Sequence, residues 1–152
     1  MITRRTTLSG IAAVSLLGTQ GAWAQNPSKP VPPLALRGYD PVAYFTDARP
    51  VEGKADFEIT WDGQRYRFAS ARHRDLFKAN PDKYAPQFGG SCAMNMSAGV
   101  RRESDPHNWT IVNGNLYVFA GTQGLEGFKR NIAENASKAA ANWKSMKPVP
   151  TQ

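Results

Sequence analysis

Two dipeptides, Asp62-Gly63 and Asn113-Gly114, constrain the fold of this chain more than any other feature of its sequence. Asp-Gly and Asn-Gly favour tight two-residue turns in which both residues take positive φ, and such turns join antiparallel strands. Apolar and polar residues alternate on both sides of each turn, in "DFEITWDGQRYRF" and in "WTIVNGNLYVF". The sequence therefore predicts two β-hairpins.

Helical patterns lie between and after the hairpins. Ser70 precedes "ARHRDLFKAN" and is typical of a helix N-cap, and Pro81 ends that helix before one further turn in "PDKYA". Asp40, in "DPVAYF", predicts a short capped helix. Apolar residues recur at helical spacing from about Leu125 to Met146, which predicts a C-terminal helix in one or two pieces. We predict an α+β fold, a small antiparallel sheet or two β-hairpins packed with helices, and no internal repeat.

The N-terminal segment "MITRRTTLSGIAAVSLLGTQGAWAQ" is typical of an export signal. Arg4 and Arg5 precede a moderately apolar run, and Ala22-Trp23-Ala24 is a small-x-small cleavage pattern. The apolar run is shorter than the roughly 20 residues that a membrane-spanning helix needs. We predict that residues 1–24 are cleaved after export, by the twin-arginine route in preference to the general secretory route. The mature chain is then a soluble periplasmic protein with no stable membrane anchor.

The rest of the chain divides into three parts in this interpretation. Residues 25–36, "QNPSKPVPPLAL", are proline-rich and predict an extended tether. Residues 37–147 form the domain, and residues 148–152 form a tail. The formal charge of +7 falls to about +5 once the two signal arginines are removed. Because the remaining basic residues are spread in pairs, the sequence predicts no nucleic-acid partner.

The stretch "FGGSCAMNMSAG" holds the only cysteine, Cys92, with Met94 and Met96 two and four positions later. On a β-strand these three side chains would point to one face. Thiolate and thioether sulfur are soft ligands that favour Cu(I). His73, on an apolar face of its helix, is the candidate fourth ligand. The sequence thus predicts a copper site formed by Cys92, His73, Met94 and Met96.

Other interpretations of these residues stay open. Cysteine and methionine are common core residues, so the three sulfurs also fit the apolar face of a buried strand, and His73 fits a packed histidine. A nucleophile pair of Cys92 and His73 would require a third group to orient the imidazole, for which Asp40 and Asp105 are candidates. The sequence favours binding over catalysis, and it assigns no catalytic residue.

Three blocks, "GYDPVAYF", "FASARHRDLFKANPDKYAPQFGGSCA" and "WTIVNGNLYVF", resemble the YHS-domain proteins. The resemblance covers about residues 37–145 and is closer to the small exported bacterial members built around one such domain. It implies a YHS-like fold and a loose association with metal handling. Metal-associated relatives look like "DPVCGM" and "FCSxxCxxxF" in the first two blocks. Here Ala43 and Ala69 stand at two of those cysteine positions and His73 at the third, so the resemblance carries over no thiolate set.

The predicted function is that of a small exported binding protein of the YHS-domain type, with a soft transition metal, copper first, as its ligand. The expected partner is a periplasmic protein or a metal donor or acceptor. One alternative is an interaction or structural module without metal, which docks through an aromatic surface. A second alternative is a thiol-dependent enzyme that acts through Cys92.

Overall fold

A computed structural model describes residues 30–146 of the chain. The predicted export signal, the first residues of the predicted tether and the predicted tail lie outside the described residues. From Val31 onward the described residues belong to one compact unit. No helix in this part of the chain combines the length and the apolar character that crossing a membrane requires.

Both predicted hairpins are confirmed. The strands pair antiparallel in two separate sheets: β1 (Lys54–Trp61) with β2 (Gln64–Phe68), and β3 (Asp105–Val112) with β4 (Asn115–Phe119). The turn residues have positive φ, 45° at Asp62 and 75° at Gly63, and 52° at Asn113 and 77° at Gly114. These are the signs of φ that a tight turn between right-twisted strands requires.

The helices pack around the two hairpins and complete the predicted α+β fold. In the described residues they are α1 (Ala43–Thr46), α2 (Ala71–Ala79), α3 (Pro81–Tyr84), α4 (Ala93–Ser97), α5 (Thr122–Lys129) and α6 (Ile132–Met146). The Ser70 hydroxyl caps α2 by accepting a hydrogen bond from the N–H of His73 at 3.2 Å. The C-terminal helix, which the sequence predicted in one or two pieces, is present as two, α5 and α6.

The segment that follows Cys92 is not a strand, and this prediction was wrong. It forms the short helix α4, in which the N–H of Met96 donates to the carbonyl of Cys92 at 2.9 Å. In a helix, residues four apart share a face, and the residue between them points elsewhere. Cys92 and Met96 accordingly face the core, with 1% and 0% of their surface exposed, whereas Met94 is half-buried.

The last residues of the predicted tether lie against the first hairpin. The backbone N–H of Arg65 donates to the carbonyl of Pro33, and its Nε donates to the carbonyl of Pro32, both at 2.9 Å. Leu34 then forms a parallel bridge with Arg65. The chain therefore enters the fold along the edge of β2.

The sequence predicted no internal repeat, and this prediction was wrong, because the two hairpins have the same register. The pair Lys54↔Phe68 corresponds to Asp105↔Phe119, and the pair Trp61↔Gln64 corresponds to Val112↔Asn115. Every partner is shifted by 51 positions, from 54 to 105 and from 64 to 115. Both hairpins also have their strand irregularity at the corresponding place, directly after the first pair. We call residues 34–84 the first half and residues 86–146 the second half.

The aromatic packing against each hairpin is repeated too. In the first half, the ring of Phe77 lies 4.9 and 5.1 Å from two rings of β2. In the second half, the ring of Phe128 lies 5.1 and 5.2 Å from the corresponding rings of β4. Both phenylalanines are fully buried. The helix that follows each hairpin thus docks through the same three-ring contact.

The loops that precede the hairpins extend the correspondence. The N–H of Asp40 donates to the carbonyl of Val51 at 2.8 Å, and the N–H of Cys92 donates to the carbonyl of Arg102 at 2.8 Å. From Asp40 to Cys92 the numbering increases by 52, and from Val51 to Arg102 it increases by 51. The loop between the two bonded residues is therefore one residue shorter in the second half. Asp40 and Cys92 are therefore counterparts.

A shared cluster joins the two halves. Leu36 and Tyr44 of the first half pack with Leu116 and Val118 of the second half, and all four are buried. The hydroxyl of Tyr44 also donates to the carbonyl of Pro106 at 2.9 Å. The halves therefore do not stand alone, and each depends on the other for part of its buried surface.

Candidate functional site

The first half contains a buried carboxylate, Asp40, that is surrounded by hydrogen-bond donors. Its Oδ1 accepts from the N–H of Val42 at 2.8 Å and of Ala43 at 3.3 Å. Its Oδ2 accepts from the N–H of Ala69 at 2.8 Å and lies 2.6 Å from Nδ1 of His73. Asp40 is 0% exposed, so these donors replace the water that a carboxylate would otherwise bind.

His73 is the third residue of α2, which directs its ring toward Asp40. The ring is buried, and its Nε2 lies 3.3 Å from the Thr46 hydroxyl. Of the two candidates for an orienting carboxylate, Asp40 occupies this position. The other candidate, Asp105, is instead 3.2 Å from Nδ1 of His107 on the surface. His73, the base that a thiol-dependent enzyme would need, therefore has both ring nitrogens beside first-half groups, Asp40 and Thr46.

The Asp40 site gathers the three positions at which metal-associated relatives carry cysteine. Ala43 and Ala69 contribute only their backbone N–H, and His73 contributes its ring. Since an alanine side chain has no donor atom, the metal-binding groups left here are one imidazole and one carboxylate. Within residues 30–146, no three or more His, Cys, Asp or Glu side chains are grouped so that they could hold a metal ion.

The second half contains an open cleft lined by two sulfur residues, Cys92 and Met94. The cleft has a volume of about 520 Å³. A Cβ atom placed on Gly124 would lie 3.7 Å from Sγ of Cys92, and one on Gly127 would lie 3.7 Å from Sδ of Met94. The two glycines are three residues apart on α5 and so share a face. Because these two positions carry no side chain, the backbone of α5 approaches both sulfur atoms closely.

The four predicted metal ligands thus lie in three different environments. Cys92 and Met94 line the cleft. Met96 is 0% exposed and belongs to the hydrophobic cluster of the second half. His73 lies beside Asp40 in the first half. The structure brings two of the four side chains together at one cleft, where Cys92 is 1% exposed and belongs to the same hydrophobic cluster as Met96.

The cleft is the second half's counterpart of the Asp40 site. Counterparts of Asp40 and of the four residues that hydrogen-bond to it line the cleft: Cys92 for Asp40, Met94 for Val42, Asn95 for Ala43, Ala120 for Ala69, and Gly124 for His73. Where the first half has an imidazole against a carboxylate, the second half has a glycine against a thiol, and open space results.

Sequence reasoning missed Asn95, Ala120 and Gly124 as residues of this site. A signal for two of them was present, because "FASARHRDLFK" at 68–78 and "FAGTQGLEGFK" at 119–129 begin with the same Phe-Ala and end with the same Phe-Lys. Aligning these segments pairs Ala120 with Ala69 and Gly124 with His73. Asn95 has no comparable signal, since its loop differs in length between the halves.

A second, smaller cleft of about 230 Å³ is lined by aromatic residues. Trp61, Tyr66, Phe88 and Trp143 contribute to its walls. Burial raises the pKa of the Tyr66 hydroxyl well above its usual range, so this group stays protonated. The guanidinium of Arg101 lies 4.9 Å from the centre of the Trp143 ring. This is the aromatic surface that an interaction module would use.

Comparison with known families gives one match, which begins in the first half and ends at the start of the second. Residues 42–88 match the model of the YHS domain, a family associated in general with metal binding, copper included. The matched segment contains Ala43, Ala69 and His73 and ends before Cys92. Comparison with curated proteins found no match, and comparison with solved structures found none.

Proposed function

We propose that this protein is a small exported binding protein of the YHS-domain type that holds a soft transition metal, copper first, in the Cys92–Met94 cleft. One observation carries the proposal: a thiol and a thioether line the same open cleft, against a helix face bared by Gly124 and Gly127. Soft sulfur ligands favour Cu(I) over zinc or magnesium. The general association of the YHS domain with metal binding supports the same ligand class.

The proposal gives the two sulfur residues different weight. Cys92 is the anchoring ligand, since a thiolate is a stronger ligand than a thioether. Met94 is the second ligand. Met96 and His73 lie outside the cleft, one in the core and one beside Asp40. The side of the metal that faces the cleft opening stays accessible, which suits exchange with a metal donor or acceptor.

An anaerobic titration with Cu(I) against a competing chelator tests this function. We expect the purified wild-type protein to bind one Cu(I), the Cys92→Ser variant to lose binding, and the Met94→Leu variant to bind more weakly. Met96→Leu is the matched control, because it removes a thioether of the same short helix that does not line the cleft. It should bind as the wild type does.

Two results would contradict the proposal in different ways. If the Cys92→Ser variant binds Cu(I) as tightly as the wild type, the metal is held elsewhere in the chain. If the wild type itself does not bind Cu(I), the sulfur residues serve packing only. The aromatic cleft would then favour the second candidate, a periplasmic interaction module, which a stable partner recovered with the wild type and lost on replacing Trp61 would support.

Export is a separate part of the proposal, and residues 1–24 support it through their twin arginine, short apolar run and cleavage pattern. We place the mature protein in the periplasm, beginning near Gln25. The mass of the protein recovered from the periplasmic fraction of a Gram-negative host measures this directly. An intact N-terminus there would contradict it.

A further inference from the structure

The aromatic cleft is lined by two pairs of rings, one from each half. Trp61 and Tyr66 come from the first hairpin, and Phe88 and Trp143 come from the second half. The ring centres are 6.2 Å apart in the first pair and 6.5 Å apart in the second, and the ring planes meet at 58° and 66°. Tyr66 and Phe88 are buried, whereas both tryptophans are half-buried. The tryptophans therefore supply the accessible part of the aromatic walls.

The charged residues of this cleft are all acidic. Asp62 and Asp82 line it, and both are exposed. None of the described residues that line it is a lysine, an arginine or a histidine. The chain as a whole has a formal charge of +7, so the cleft is a local exception. The negative charge of Asp62 also reaches the buried wall, because it adds to burial in raising the pKa of the Tyr66 hydroxyl.

Contacts outside the cleft hold both tryptophan rings in place. The ring of Trp61 stands edge-on to that of Phe77, with 5.9 Å between the ring centres. A Cβ atom on Gly89 would lie 3.1 Å from the Trp143 ring, so this ring sits against the backbone of a glycine. Arg101, which lies over Trp143, does not line the cleft and leaves its space open. Walls that are already ordered reduce the entropy cost of binding a ligand.

The second hairpin shows that neither Trp61 nor Asp62 is needed to form such a hairpin. Their counterparts, in the same register, are Val112 and Asn113. Asn113 takes the same positive φ as Asp62, 52° against 45°. An indole and a carboxylate at the tip of the first hairpin are therefore not explained by the turn, and both line the cleft.

We propose that the aromatic cleft binds a small organic cation of the quaternary ammonium class. The faces of aromatic rings, tryptophan above all, attract such cations. A quaternary ammonium has no N–H groups that need acceptors, so ring faces can replace its hydration. Asp62 and Asp82 add electrostatic attraction. The volume of about 230 Å³ is below the roughly 300 to 1,000 Å³ of pockets for drug-sized ligands, so the cleft fits a headgroup.

An NMR titration of the native full-length protein with choline tests the proposal. We expect saturable shifts of the indole N–H signals of Trp61 and Trp143, and an upfield shift of the choline methyl protons caused by the ring currents. The matched ligand is 3,3-dimethyl-1-butanol, which has the shape of choline but a carbon in place of the nitrogen. It should bind about tenfold more weakly. Equal binding of the two ligands, or no saturable binding of choline, would overturn the proposal.

Substitutions at the rim of the cleft test where the cation binds. Asp62→Asn keeps a turn residue that the second hairpin uses, and it should weaken choline binding about twofold to fivefold. Asp56→Asn is the matched control, since Asp56 is an exposed carboxylate of the same hairpin that does not line the cleft. It should leave binding unchanged. Equal effects of the two substitutions would show that only the net charge matters, and the site assignment would be wrong.

Two further variants separate this inference from the other proposals. Trp61→Val introduces the counterpart residue of the second hairpin and should weaken choline binding at least about tenfold. Its urea unfolding curve shows whether it is folded, and if it is not, the comparison of Asp62→Asn with Asp56→Asn decides. Cys92→Ser should bind choline as the wild type does, because Cys92 does not line this cleft. If choline does not bind but a protein partner is lost with Trp61→Val, the cleft is a protein-docking surface and the inference is wrong.

Discussion

At the scale of single residues, Asp40 is the group on which the first half most depends. A buried charge is costly unless hydrogen bonds replace its hydration. Asp40 obtains these from three backbone N–H groups and from His73. Its donors come from the residues just after it and from the segment that links β2 to α2. The carboxylate therefore ties α1 to the start of α2, across 29 residues of sequence.

Replacing Asp40 by Asn should destabilise the protein by about 3 kcal/mol. The substitution puts an NH₂ group where an acceptor is needed and leaves a buried backbone N–H unpaired. Urea unfolding at neutral pH measures the effect. Asp105→Asn is the matched control, since Asp105 also precedes a proline and lies beside a histidine but is exposed at the surface. Asp105 accepts hydrogen bonds from the N–H of His107 and from Asn108, both at 3.0 Å, but solvent can replace them, so Asp105→Asn should cost no more than about 1 kcal/mol. Equal losses in the two variants would contradict the role of Asp40.

At the scale of elements, the sequence predicted what local chemistry determines. The hairpins were predictable because their turns require residues that tolerate positive φ, and α2 because Ser70 caps it. The helical conformation of the segment after Cys92 was not predictable, since sulfur residues at every second position fit both a strand and a short helix. The contact between Cys92 and Gly124 joins residues 32 positions apart, and nothing local in the sequence indicates it.

The repeat makes a prediction about the N-terminus of α5. Gly121 stands where Ser70 caps α2, its backbone is extended in the same way, and a Cβ on it would have no atom within 4 Å. Gly121→Ser should therefore stabilise the protein by a few tenths of a kcal/mol, by capping α5 as Ser70 caps α2. Ser70→Ala should cost about 1 kcal/mol. Thermal unfolding of both variants measures this, and a destabilised Gly121→Ser protein would contradict the equivalence.

An ion-pair cluster on the first hairpin leads to a second prediction at this scale, about how the stability of the protein depends on pH. Glu58 of β1 accepts from Arg67 at 3.0 Å and from Arg65 at 3.2 Å, and the hydrogen bond from Arg67 is the main reason why the pKa of Glu58 lies below its usual range. A lowered folded-state pKa adds stability above the unfolded pKa, near 4.5, and that stability is lost as the pH falls through the folded pKa.

Glu58→Gln should therefore cost no more than about 1 kcal/mol at pH 7, because the carboxylate is partly exposed and its ion pairs are screened by solvent. The difference from the wild type should shrink toward zero once the pH is well below 4.5. Urea unfolding of both proteins across this range measures it. A difference that stays constant with pH would show that the ionised form of Glu58 contributes nothing.

At the scale of the whole molecule, two similar halves are joined through unlike surfaces. Arg65 and Arg67 of β2 face partly outward and pair with Glu58, whereas their counterparts in β4, Leu116 and Val118, are buried in the cluster that joins the halves. This asymmetry gives the two hairpins different apolar patterns. It explains why the repeat is evident from the backbone register but hard to recognise in the sequence.

The shared cluster predicts that the halves unfold together. Leu116→Ala should cost about 2 to 5 kcal/mol, because Leu116 is fully buried between the halves. Amide hydrogen exchange should then show the most protected amides of both halves losing protection by the same factor, within a single unfolding transition. Leu125→Ala, a partly buried position on α5 outside this cluster, should cost less. If Leu116→Ala weakens protection in the second half alone, the halves fold as separate units, and each candidate site is then stable without the other.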